Sequence, residues 1–174
     1  MPRVRSFPPI ENTRARALIL GSMPGGASLA ASQYYAHPQN LFWRIVCDLL
    51  GAPAGLTYAG RTRLLKANGI ALWDVLESCV REGSLDSSIE EASIAVNNFA
   101  AFYRRHPGID RVFFNGAKAE ASYRRYVLAQ GADIPLLEYL RLPSTSPAHA
   151  TLSLAQKRRA WQAVTARGSV LLKN

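Results

Sequence analysis

The chain has 174 residues, 48% hydrophobic and 19% charged, which suits one folded domain and excludes wholesale disorder. Lys and Arg number 21 against 12 acidic residues, and this surplus of +9 points to a polyanionic partner, most simply nucleic acid. No apolar run matches a membrane span, and the basic start MPRVRSFPPI lacks the apolar centre of a secretion signal, so a cytoplasmic setting is expected. Residues 1–12 read as an extended arm. Arg16–Leu20 reads as a buried strand that runs into the turn Gly21–Gly26. The polar, aromatic loop ASQYYAHPQN follows. Leu41–Leu50 is predicted as a helix, because Phe42, Ile45, Val46 and Leu49 make one apolar stripe, with Asn40 at the N-cap and Gly51 at the stop. Tyr58–Ala67 is a second helix, closed by Asn68-Gly69, and Ile70–Val75 a short strand. A polar loop then leads to Ser88, where Ser88-x-x-Glu91 offers a capping box for a helix to about Arg105. Arg111–Phe114 is a strand halted by Asn115-Gly116, Lys118–Ala129 a helix, and Leu136–Leu140 a strand ending at the loop Leu142–Ala150. Ser153-x-x-Gln156 caps a last helix to about Ala166, and Val170–Leu172 reads as a final short strand.

Short apolar strands alternating with helices predict an α/β fold, a three-layer α/β/α sandwich with a mainly parallel central sheet, over a single domain 1–174. Such sheets bind ligands beyond the carboxyl ends of their strands. Three loops there carry unusual residues: GSMPGG, Asn115-Gly116 and LPSTSPAHA. They are expected to converge. Gly21–Gly26 lacks the Gly-Lys-Ser/Thr of a P-loop and the third glycine of a dinucleotide fingerprint, so a plain tight turn is an equal reading. Cys47 and Cys79 sit in apolar segments and read as buried thiols, too few for an iron–sulfur cluster. His37, His106 and His149 have no metal-ligand spacing. No metal and no cofactor are expected.

The segments Gly21-Ser22-Met23-Pro24-Gly25, Tyr35-Ala36-His37-Pro38-Gln39-Asn40-Leu41-Phe42-Trp43 and Leu142-Pro143-Ser144-Thr145-Ser146-Pro147 resemble motifs of the uracil-DNA glycosylase superfamily. Its mismatch-specific branch has a Gly-Ile-Asn-Pro-Gly loop and a His-Pro-x-Asn-x-Phe-Trp run. The likeness spans roughly Arg16 to Ala166. One departure is informative: the branch's catalytic asparagine position holds Met23, which cannot orient water. The combination is most similar to the hypoxanthine-DNA glycosylase family, in which the asparagine comes from the His-Pro-x-Asn run. That places the catalytic amide on Asn40. The implied activity is monofunctional removal of a deaminated base, hypoxanthine from deoxyinosine, leaving an abasic site in DNA, by a monomer.

Such an enzyme must extrude a nucleotide, read its edge and break the glycosidic bond. An amide offers an acceptor to water and donors to a base. It is a weak base, so positioning and electrostatics must carry most of the rate. Asn40 is expected to position water or polarise the base, with a simple helix cap as its bland alternative. Asn115, in a Phe-Asn-Gly that the thymine-specific relatives share, is expected to read the base edge, against an Asx turn. Tyr35 is expected to stack on the base, with Tyr34 as runner-up, and Gly21, Ser22, Met23, Pro24 and Gly25 to line the base site. Pro143, Ser144, Thr145, Ser146, Pro147, Ala148 and His149 form the expected DNA-binding loop. His37 and Pro38 read as turn formers, Phe42 and Trp43 as core. Lys118 reads equally as a phosphate contact and a solvated lysine. Asp74, an acid at a strand end, reads first as a capping or salt-bridge residue and second as a further polar member of the site. The rival functions are the same chemistry on uracil or a mismatched base, a non-catalytic DNA-binding domain, and a nucleotide enzyme using GSMPGG as a phosphate loop.

Overall fold

The structure is a computed structural model that describes residues 2–166. In chain order the elements are β1 (Arg3–Arg5), β2 (Ala17–Gly21), α1 (Gly26–Ala31), α2 (Phe42–Leu49), α3 (Tyr58–Ala67), β3 (Ile70–Asp74), β4 (Leu76–Arg81), β5 (Ile89–Val96), α4 (Phe99–Arg105), β6 (Arg111–Asn115), α5 (Ala117–Tyr123), β7 (Glu138–Leu142) and α6 (Leu154–Trp161). Four strands form a parallel sheet in the order β3-β2-β6-β7. Side chains alternate along a strand, so each central strand feeds two cores. Ala17 and Ile19 face one side, with Leu72 and Phe113, against Phe42 and Ile45 of α2, Leu65 of α3 and Trp161 of α6. Leu18 and Leu20 face the other, with Trp73 and Phe114, against Phe102 of α4 and Tyr123 of α5. These layers are the expected α/β/α sandwich. The chain passes from β2 to β3 on one side and then crosses to β6 on the other, so a topological switch point lies at the carboxyl ends of β2 and β6.

A second sheet was not legible. Strands β1, β4 and β5 form an antiparallel sheet in the order β1-β4-β5. The expected arm is therefore partly a strand, and Ile10 adds a bridge to Leu72. The expected polar loop after Val75 contains β4. The expected helix from Ser88 is instead strand β5 followed by a short helix, α4, whose true cap is Asn98, accepting from the Ala101 N–H at 3.0 Å. Ile89, Ile94 and Val96 are β-branched and favour the strand, and β4 supplies the partner edge that a helix would leave unpaired. Glu91 does not reach back to Ser88; it bonds Lys118 and Tyr126. The strand expected at Leu136–Leu140 lies two residues on, at Glu138–Leu142, paired with Arg111–Asn115; Leu136 is fully exposed. The helix expected to Ala129 is α5 extended by a π-helical turn, Arg124–Leu128. The Ser153 capping box forms as expected, although α6 ends at Trp161 before a 3₁₀ turn, Gln162–Val164. The strand expected at Val170–Leu172 lies outside the described residues.

Candidate active site

The loop after β2 is held from two directions. Gly21 pairs with Asp74 across the sheet, and a Cβ at Gly21 would lie 2.5 Å from Asp74 Oδ1 and 2.8 Å from Tyr35 Oη. Only glycine fits there, because two polar groups crowd its Cα. Ser22 Oγ donates to Asp86 Oδ1 at 2.7 Å. Met23 is buried in the core, so this position presents backbone and no amide. The Pro24 carbonyl accepts from Arg81 Nη2, and the Gly26 N–H donates to Ser84 Oγ at 2.8 Å. Arg81, Ser84 and Asp86 belong to the β4–β5 hairpin, which thus braces the Gly-rich loop. Sequence reasoning missed all three. The one available signal was the charged, turn-rich run Arg81-Glu82-Gly83-Ser84-Leu85-Asp86, which reads as ordinary surface loop.

The loop before α2 supplies an aromatic wall and an amide. Tyr35 has a φ of +54°, unusual for a residue with a side chain, and its ring stacks on Phe42 with centroids 4.1 Å apart. Its hydroxyl is buried and makes no hydrogen bond among the described residues. Burial, then the nearby Asp74 carboxyl, push the Tyr35 phenol well above its ordinary range, while the Asn115 amide close by acts in the opposite sense. Tyr34, the runner-up for stacking, is core: its hydroxyl donates to the Pro8 carbonyl at 2.9 Å. Phe42 and Trp43 are core as expected, and His37 Nδ1 accepts from the Gln39 N–H at 3.1 Å, a turn-forming bond. Helix α2 begins at Phe42, one residue later than expected. Asn40 Oδ1 accepts the Phe42 N–H at 2.9 Å, so it satisfies an orphan donor of the helix start from one position further out. That bond fixes the rotamer of Asn40 and commits one lone pair of Oδ1.

Asn115 ends β6 at the switch point. Its Nδ2 donates to Thr145 Oγ1 at 2.9 Å and its Oδ1 accepts the Thr145 N–H at 3.0 Å. The Thr145 carbonyl in turn accepts the Leu41 N–H at 3.0 Å. Thr145 thus bridges the end of β6 to the residue after Asn40. It is fully buried, so its hydroxyl serves Asn115 and not a surface ligand. Gly116 has a φ of +93°, and a Cβ there would lie 3.1 Å from Ser144 Cβ, so glycine permits the close approach of the two loops.

The loop Leu142–Ala150 has a pinned base and an exposed tip. Trp161 Nε1 donates to the Pro143 carbonyl at 2.9 Å, and the buried Lys157 donates to the His149 carbonyl. Burial lowers the Lys157 ammonium from its ordinary value. Ser144 and Ser146 accept local backbone N–H groups in tight turns. Pro147, Ala148 and His149 are exposed. A cleft lined by Gly116, Arg141, Ser144, His149 and Lys157 lies beside this loop. Lys118 is paired with Glu91.

Asp74 departs from its expected capping or salt-bridge role. It sits at the carboxyl end of β3, is 3% exposed, and joins no ion pair among the described residues. Its Oδ2 has no hydrogen-bond partner there. Burial first and the Asp86 charge second push its carboxyl up to about 7, with Arg81 acting the other way. Among the described residues no group of three or more His, Cys, Asp or Glu side chains could hold a metal ion, and no helix is long and apolar enough to cross a membrane.

The strand-end loops therefore meet at the carboxyl ends of β2, β3 and β6: Asn115 is bonded to Thr145 and through it to Leu41, beside Asn40, while Asp74 and Tyr35 crowd Gly21. Comparisons with known proteins bear on the family and the fold. The family description "Uracil DNA glycosylase superfamily" matches residues 8–165. A protein of Methanosarcina barkeri named hypoxanthine DNA glycosylase is 37% identical over 134 residues, 76% of this chain and 83% of that one. A protein of Methanosarcina acetivorans with the same name is 35% identical over 161 residues, 92% of this chain and 96% of that one. A solution NMR structure of a candidate uracil DNA glycosylase from Methanosarcina acetivorans superposes with a TM-score of 0.77 at 34% identity, covering 94% of this chain and 97% of the other. With the family description covering residues 8–165 and two relatives more than 30% identical over most of the chain, the chain belongs to the uracil DNA glycosylase superfamily.

Proposed function

We propose that this protein is a monofunctional DNA glycosylase that releases hypoxanthine from deoxyinosine and leaves an abasic site, acting as a single-domain monomer in the cytoplasm. The observation that supports the reading is the bridge Asn115–Thr145–Leu41, which ties the end of β6 and the loop after β7 to the start of α2, the segments that carry the two amides Asn115 and Asn40. The substrate comes from the two relatives, whose names state hypoxanthine. The net charge of +9 suits a DNA partner.

The chemistry follows from the residues. The exposed tip Pro147-Ala148-His149 enters the duplex and holds the extruded nucleotide, while its pinned base keeps the tip from collapsing. The face of the Tyr35 ring opposite Phe42 receives the base. The C1′–N9 bond breaks with its electron pair going to the purine, and water adds to C1′ and gives up a proton. Asn40, its rotamer held by Phe42, orients that water or donates through Nδ2 to the departing base. Asn115 fixes the loop and presents its remaining amide valences to the base edge.

The test is a panel of end-labelled oligonucleotides bearing hypoxanthine, uracil or xanthine, each treated with enzyme and then alkali. Strand cleavage at hypoxanthine is expected to be fastest. Cleavage at uracil alone would assign the same chemistry to the other base, and no cleavage with retained DNA binding would make the protein a binding domain.

A further inference from the structure

Asp74 is a buried carboxyl that the mechanism above does not use. It lies at the carboxyl end of β3, next to the switch point where ligands of such sheets bind. Its Oδ1 leans over Gly21, and Tyr35 Oη lies on the other side of the same Cα. Asp74 Oδ2 and Tyr35 Oη are both buried and both lack partners among the described residues. Two adjacent unpartnered polar groups in a buried site are costly unless a ligand satisfies them. The backbone around them is already spoken for: the Asp74 carbonyl accepts Asn97 Nδ2 at 2.8 Å, and the Val75 N–H donates to the Gly21 carbonyl at 2.8 Å. Only the side chains remain to meet a ligand.

We propose that Asp74 is a catalytic residue that, as a neutral carboxylic acid beside the Tyr35 hydroxyl, hydrogen-bonds the lactam edge of the extruded base and donates a proton to it as it leaves. This rests on the glycosylase reading above. A neutral carboxyl offers one O–H donor and one C=O acceptor side by side, which matches the carbonyl and ring N–H that deamination creates on hypoxanthine and on uracil. As the glycosidic bond breaks, its electron pair moves onto the base. The Asp74 proton moves to a base heteroatom, and the proton lost by the attacking water restores the acid. An ionised carboxylate would repel that developing charge.

The groups facing Asp74 favour the neutral form. Tyr34 and Tyr35 approach from the loop before α2 and carry no positive charge. Asp86, from the β4–β5 hairpin, repels ionisation, and among the described residues Arg81 of β4 is the one opposing charge acting on the carboxyl. Arg81 gives its Nη2 to the Pro24 carbonyl and its Nε to the Gly83 carbonyl, while its Nη1 is buried without a partner among the described residues. With the carboxyl held at about 7, the neutral fraction is lost as pH rises through that value.

The experiment is a single-turnover pH profile on hypoxanthine-containing duplex for wild type, Asp74→Asn and Asp74→Ala. Wild-type excision should fall about tenfold between pH 6 and pH 8, the loss of neutral acid across a titration near 7. Asp74→Asn keeps a donor and an acceptor without titrating, so its profile should be flat. Asp74→Ala should be slow at both pH values. At pH 8 the melting temperature of Asp74→Asn should not fall below wild type, since it removes a buried charge, and its binding to abasic-site DNA reports folding independently. A wild-type rate that rises with pH, or an Asp74→Ala variant at wild-type rate, overturns the role of Asp74 while leaving the glycosylase reading intact. If wild type releases uracil but not hypoxanthine, the profile is read on uracil. Release of neither base overturns both.

Discussion

The two amides at the start of α2 and at the end of β6 look alike in the sequence, each closing a motif before a turn, yet they are bonded very differently. Asn115 has both amide atoms engaged with one residue, Thr145, which itself holds Leu41. Among the described residues Asn40 engages only its oxygen, which accepts the Phe42 N–H. The first is an architectural clamp that also borders the site. The second is oriented by the helix start through one bond, and the proposed mechanism draws on its Nδ2. A side chain can be preorganised without being used up, and on the proposed mechanism this difference in bonding gives the two amides different roles.

The largest effect should come from Asn40→Ala. The single-turnover rate should drop by roughly two decades, about 3 kcal/mol, the scale of losing one preorganised hydrogen-bonding group. Stability should fall by only about 1 kcal/mol, the scale of a lost cap. Asn40 is a cap and nothing more if quenched alkali-cleavage assays find the wild-type rate with only a lower melting temperature.

Asn115→Ala should show the converse balance. It leaves the buried Thr145 N–H and hydroxyl without their partner, at about 1–3 kcal/mol of stability, and slows excision by roughly tenfold because the loop loses its anchor. Urea titration with parallel kinetics separates the two losses. A larger rate effect than that of Asn40→Ala, with unchanged stability, would exchange the roles assigned to the two amides.

Replacing Pro147, Ala148 and His149 with glycine spares the Thr145 clamp and so isolates the tip. Excision should slow several-fold in duplex and hardly at all in single strands, since only the duplex imposes an unstacking cost of a few kcal/mol. Equal slowing in both would place the tip outside duplex opening. The smallest expected effect is that of a chelator, which should leave excision unchanged, because the proposed chemistry rests on two amides and a carboxyl. Activity lost on dialysis against chelator and restored by one metal would show that neither amide suffices to orient water.

How much of this was legible is best judged from two similar signals. Ser153-x-x-Gln156 and Ser88-x-x-Glu91 both match a capping box. The first caps α6, with the Ser153 side chain accepting the Gln156 N–H at 3.2 Å and Gln156 accepting the Ser153 N–H at 2.8 Å. The second leads into β5. Leu-Ala-Gln-Lys-Arg-Arg-Ala-Trp favours a helix with no partner needed, whereas Ile-Glu-Glu-Ala-Ser-Ile-Ala-Val becomes a strand once β4 presents an edge. The antiparallel sheet was hidden for that reason, and with it the bracing of the Gly-rich loop by Arg81, Ser84 and Asp86. Asp74 was visible as an acid at a strand end. That it lacks a partner depends on what lies around it in space.

The sequence by itself determined the parallel sheet, the helices on its two faces, the three strand-end loops and the aromatic and amide residues they carry, because these follow from local periodicity, turn chemistry and motif order. It also carried the family, through three short motifs in the right order. Only the tertiary structure decided that β1, β4 and β5 form a second sheet, that Thr145 joins Asn115 to the start of α2, that Tyr34 is core while Tyr35 faces the site, and that Asp74 is buried without a partner. Each of those depends on segments far apart in the chain meeting, and strand pairing, burial and hydrogen-bond satisfaction are properties of the meeting.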